Sequence, residues 1–127
     1  MQEKNLFEYA VIRVVPRVER EEFLNVGVIL YSRDKQFLKA KFFIDKEKLA
    51  AFSKDIDTQE LEEHLQALEK ISDAAPGSGP IGLLDHASRF RWLTATRSTV
   101  VQASKVHPGF CDEPDKALQK LFEQLVK

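Results

Sequence analysis

The apolar pattern changes period about a third of the way along the chain. It runs first at the two-residue spacing of strands and then at the three-to-four-residue spacing of helices. Residues 7–15, FEYAVIRVV, are aromatic and β-branched and predict a strand, with Arg13 interrupting the apolar run. Pro16 ends it, because proline has no N–H to give to a ladder. A polar connection, RVEREE, follows. Residues 23–32, FLNVGVILYS, predict a second strand. Gly27 inside it signals a bulge or a close backbone approach, and the polar Asn25 is expected to serve the structure there. Arg33-Asp34-Lys35 reads as a tight turn into a third strand, 36–44. In that strand Lys39 and Lys41 share one side and Leu38, Ala40 and Phe42 the other. Three strands with short links predict an antiparallel meander.

Helical spacing begins after Asp45, a candidate N-cap for a short helix carrying Leu49, Phe52 and Ile56. A longer helix places Leu61, Leu65, Leu68 and Ile71 on one stripe. Asp57 is its better cap, because Glu60 stands where a capping box needs an acid. The segment 76–82, PGSGPIG, predicts a surface loop. Asp85 is placed to cap a helix over 86–93, with Phe90 and Leu93 inward. Residues 96–106, TRSTVVQASKV, predict a fourth strand in the sheet, and His107-Pro108-Gly109 a turn. Pro114 suits the first turn of a last helix, whose buried stripe is Leu118, Leu121, Phe122 and Leu125. The expected fold is α+β: a mainly antiparallel sheet of about four strands with helices on one face.

A chain of 127 residues fits one domain spanning 1–127 and can bury a core unaided. The single cysteine, Cys111, excludes an internal disulfide and favours a reducing, cytoplasmic setting. MQEKNLFEYA lacks the apolar core of a secretory signal, and no run is long enough to span a membrane. The net charge of −1 argues against a general nucleic-acid coat.

That small net charge conceals a segregation. Residues 45–73 hold nine acids against four lysines, whereas 86–111 contain no acid and carry Arg89, Arg91, Arg97 and Lys105. Such an island creates a local positive field. Arg89, Arg91 and Arg97 could fork onto a phosphate or carboxylate, and Trp92 could stack on a ring. Arg13 and Arg17 are candidate additions to the same recognition surface. The competing reading has these arginines pair with the acidic helix of their own domain.

His107, Cys111 and Asp112 form a second cluster. A thiolate at a helix N-terminus is activated, and a histidine and an acid could complete a triad. A lone cysteine also serves as a small buried hydrophobe, and Cys111 is expected to be largely buried and unreactive. Cys111, His107, His86 and His64 follow no metal-ligand spacing, so neither metal nor cofactor is expected. The mixed run Arg17-Val18-Glu19-Arg20-Glu21-Glu22 reads as solvated surface. Gly77-Ser78-Gly79 lacks the lysine of a phosphate loop.

YAVIRVVPRVEREEFLNVGVILYS at 9–32, PIGLLDHASRFRWLTATRSTVVQASKVHPGFCD at 80–112 and the closing helix together resemble a bacterial domain-of-unknown-function family, number 3037. The resemblance implies no activity. It implies a frequent gene neighbour, a HipA-like kinase, as the expected protein partner. The function expected is therefore that of a small cytoplasmic accessory or binding protein. Its recognition surface would hold Arg89, Arg91, Trp92 and Arg97 with Arg13 and Arg17. The alternative is a phosphate-, nucleotide- or nucleic-acid-binding domain, or an enzyme acting on such a substrate.

Overall fold

The computed structural model describes residues 5–95 and 100–127. The meander is present: β1 (Asn5–Val14), β2 (Leu24–Ser32) and β3 (Phe37–Phe42) pair antiparallel in sequence order. The predicted irregularity lies between β1 and β2. Ile12 faces Gly27 and Arg13 faces Asn25, so Val26 is the extra residue of a bulge. Gly27 also meets its cross-strand neighbour Phe42. A Cβ there would strike the Phe42 ring and come within 2.9 Å of the Lys41 carbonyl. Asn25 donates from Nδ2 to the Leu125 carbonyl at 3.0 Å, so it ties the sheet to the last helix.

The other side of β1 departs from expectation. Two short strands share it: β4 (Val101–Ala103) pairs with Ile12–Val14, and β5 (His107–Cys111) pairs with Asn5–Tyr9. The sheet therefore has five strands. His107-Pro108-Gly109, expected as a turn, begins β5 instead. Pro108 is tolerated because β5 is an edge strand. Gly109 lies under its partner Phe7, whose ring a Cβ would meet at 2.5 Å. The described part of the expected fourth strand is only Val101–Ala103; residues 96–99 lie outside the described residues.

The helices divide between the two faces. The α1 (Lys46–Phe52), α2 (Thr58–Ser72) and α3 (His86–Thr94) helices supply Leu49, Leu61, Leu65, Leu68, Ile71, Phe90 and Leu93 to a core with Ala10, Ile12, Ile29 and Ala40. The α4 helix (Pro114–Leu125) lies on the opposite face. There Leu118 and Phe122 meet Phe7, Val28 and Leu30. Successive strand residues point to opposite faces, so this division follows from the alternation of the contacts. Three helices thus take one face, as expected, and the fourth covers the other.

The helix starts agree with their caps. Asp45 accepts from the Lys48 N–H, Asp57 from those of Gln59 and Glu60, and Asp85 from that of Ser88. The α2 helix ends in a Schellman arrangement, with Ala75 N–H donating to Lys70 and Ala74 N–H to Ile71. Ala74 adopts a left-handed φ of 52° to permit it.

Candidate functional site

The cationic segment folds mainly as α3, and its cap sets which arginine goes where. Asp85 Oδ1 accepts from Ser88 N–H at 2.8 Å. These bonds with Ser88 hold the Asp85 carboxyl below its ordinary range, with smaller contributions from Arg91 and Arg89. From that start, Phe90 and Leu93 reach the core. Arg89 turns inward and is only 6% exposed. Its Nη1 donates to the Leu84 carbonyl at 2.6 Å and its Nη2 to the Ser72 carbonyl at 3.4 Å. Arg89 is therefore a clamp between α3, its preceding loop and the last turn of α2. It neither reaches the surface nor pairs with the acidic helix through carboxylates.

Arg91 takes the opposite direction and is exposed. Ala87, Phe90 and Arg91, spaced i, i+3 and i+4, line one side of a groove of about 400 Å³. Leu6, Glu8 and Tyr31 line it from the sheet, where Glu8 and Tyr31 are direct cross-strand partners. The Tyr31 and Phe90 rings lie 5.4 Å apart and give it an aromatic floor. The β2–β3 turn adds Arg33 and Asp34 to the lining. That turn closes with Gln36 N–H donating to Arg33 O at 3.1 Å, and Gln36 takes a left-handed φ of 48°. Among the described residues, neither Arg33 nor Arg91 lies within ion-pair distance of a carboxylate. Sequence reasoning did not single out Arg33. The available signal was its place in the turn directly after β2, two residues beyond Tyr31.

The remaining candidates are dispersed. Trp92 is 36% exposed and does not line this groove. Arg97 lies outside the described residues. Arg13 sits five residues along β1 from Glu8, about 17 Å in an extended strand. It points toward the face that Asn25 shares with α4. Its guanidinium carbon lies 3.9 Å from the centre of the Phe23 ring, and its Nε is buried without a hydrogen-bond partner. Burial pushes its pKa down from the ordinary arginine value. Arg17 is exposed and reaches Asp55 at 3.8 Å, an ion pair of little energetic weight. The structure thus gathers Arg91 with Arg33, and leaves Arg13 and Arg17 at the other end of β1.

The His107, Cys111 and Asp112 cluster is spread along β5. Four residues of extended chain separate His107 from Cys111, about 13 Å. His107 stacks on Tyr9, with centroids 5.3 Å apart. Cys111 is half-buried. Desolvation pushes its thiol pKa up, and the charges of Asp112 and Asp115 add to that, with Lys35 opposing. An activated nucleophile needs the opposite shift. Cys111 also borders a wide trough between β5 and α4, with Phe7, Ala117, Lys120 and Leu121.

Among the described residues, no three His, Cys, Asp or Glu side chains are placed to hold a metal ion, and no helix is long and apolar enough to cross a membrane. No curated protein and no solved structure matches the chain. A family model described as "Protein of unknown function (DUF3037)" matches residues 9–126.

Proposed function

The chain belongs to this family of unknown function, DUF3037, and on that premise we propose that it is a non-catalytic cytoplasmic binding protein. Its recognition surface centres on Arg91 and includes Arg33, with Trp92 on the same helix. The partner expected from the resemblance is a HipA-like kinase. One observation carries the reading: two exposed arginines from separate elements line a single groove, and no carboxylate of the described residues pairs with either. Guanidinium groups not committed to a close ion pair are suited to forked contacts with an acidic surface.

The test is co-purification with mass spectrometry, using the wild-type chain and Arg91→Glu. The reading expects a stoichiometric protein partner that is lost in Arg91→Glu while the melting curve is unchanged. Retention of that partner by Arg91→Glu would overturn it. Recovery of a bound nucleotide or RNA in place of a protein would establish the alternative, a domain for phosphorylated ligands.

A further inference from the structure

The charges around the Arg33–Arg91 groove are mixed, and this limits what it can hold. Glu8 and Asp34 line it together with the two arginines. A phosphodiester backbone or a phosphate dianion would bring two or more negative charges against both acids, and like charges at close range disfavour each other. A single carboxylate meets less repulsion. It also matches the planar guanidinium fork, which donates two parallel N–H···O bonds to the two carboxylate oxygens. Beside these charged groups the lining is aromatic, Tyr31 and Phe90, with Leu6 at 45% exposure. That lining favours an aromatic or aliphatic group attached to the carboxylate. A volume of about 400 Å³ accommodates one such unit.

We propose that the groove between α3 and the β2–β3 turn binds a monoanionic carboxylate carried on an apolar group, with Arg33 and Arg91 on the carboxylate and the Tyr31–Phe90 pair under the apolar part. This deepens the binding reading above and rests on it. The same chemistry is offered by an acidic side chain beside an aromatic one in a partner's segment, or by a free aryl-alkyl acid. Two consequences follow from the mixed charges. The neutral amide of the same acid should bind weakly, since it loses the charge-assisted bonds. Removing the Glu8 charge should admit phosphate.

The experiment is an amide-shift NMR titration of the full chain. The probes are 3-phenylpropionate, its amide 3-phenylpropanamide, inorganic phosphate and the blocked dipeptide acetyl-Phe-Glu-amide. The expected result is saturable shifts at Glu8, Tyr31, Arg33, Ala87 and Arg91 with the two carboxylates. Binding of the amide or of phosphate should be roughly tenfold weaker or worse, the loss of about 1.4 kcal/mol. Arg33→Gln and Arg91→Gln should each weaken carboxylate binding with unchanged melting curves, and Glu8→Gln should strengthen phosphate binding. The dipeptide binding more tightly than the free acid assigns the source to a partner segment; the reverse assigns it to a small molecule. Equal binding of acid and amide, tighter binding of phosphate by the wild-type chain, shifts confined elsewhere, or no saturable shift would each overturn the proposal. Loss of partner capture in Arg91→Glu would still stand in those cases, so the two readings fail separately.

Discussion

The Arg89 guanidinium donates to the Ser72 carbonyl, so a side chain from α3 closes the last turn of α2. A second bond, to Leu84, fixes the loop between them. Hydrogen bonds to charged groups contribute about 1.5–3 kcal/mol each. Replacing Arg89 by Met keeps much of the volume but leaves both carbonyls without this donor. Arg89→Met should therefore lower stability by about 3 kcal/mol in urea unfolding. Arg89→Lys should fall between, because one ammonium cannot span two carbonyls in the guanidinium's fixed geometry. Arg91→Ala, on the exposed side of the same helix, should cost less than about 0.5 kcal/mol. Equal costs at the two positions would contradict the clamp.

Two residues beyond Ser72, Ala74 holds a φ of 52°. A left-handed backbone costs an L-residue roughly 1 kcal/mol, and glycine avoids that cost. Glycine also gains freedom in the unfolded chain, which returns part of the benefit. Ala74→Gly should thus stabilise the protein by about 0.5 kcal/mol and raise Tm by about 2 °C. A lowered Tm would mean that α2 does not end in the Schellman geometry.

Cys111 should label slowly. Its thiol is pushed up by partial burial and then by Asp112 and Asp115, so the thiolate fraction at neutral pH is reduced. The rate of alkylation against pH should have its midpoint above the ordinary thiol value of about 8.5. The linkage has a definite sign. The native state holds this proton more tightly than the unfolded chain does. Its contribution to stability is therefore full below the unfolded thiol's pKa and is lost as pH rises through the native one. Cys111→Ser should flatten that alkaline decline. A labelling midpoint below the ordinary value would restore the nucleophile reading.

Much of this fold was legible in local chemistry. The caps Asp45, Asp57 and Asp85, the bulge next to Gly27 and the meander all follow from short-range rules, and the structure has each of them. Two features escaped because they are long-range. The run Val26–Leu30 is apolar at nearly every position, which is the mark of a strand buried on both faces. The helix that covers its second face is α4, nearly a hundred residues further on. His107-Pro108-Gly109 has turn composition, yet β1 is long enough to hold a second short partner after β4, and edge position makes the proline acceptable. The site was legible only in part. The absence of acids between 86 and 111 drew attention to the segment that folds as α3. Composition alone could not distinguish Arg89 from Arg91, since that depends on the helix phase set by Asp85. Arg33 came from a different segment altogether, brought to α3 by the strand pairing.

The joint between β4 and β5 rests on Ser104 and Val11. Ser104 N–H donates to the Val11 carbonyl at 2.8 Å, and Val11 N–H donates back to Ser104 Oγ at 2.8 Å. The hydroxyl thus stands in for the missing ladder carbonyl where the edge strand is interrupted, and it donates in turn to the Lys105 carbonyl at 2.9 Å. Val11 and Ser104 are both buried, so water cannot easily replace that acceptor. Ser104→Ala leaves the Val11 N–H without this partner, at a cost of about 1–3 kcal/mol. Ser104→Thr keeps the oxygen and should cost less. The local consequence is sharper than the global one. Amide exchange at Val11 should quicken in Ser104→Ala more than at Ala10 or Ile12, whose N–H groups belong to the β2 side of the ladder. Uniform acceleration along β1 would indicate only general destabilisation and would remove Ser104 as the splice between the two edge strands.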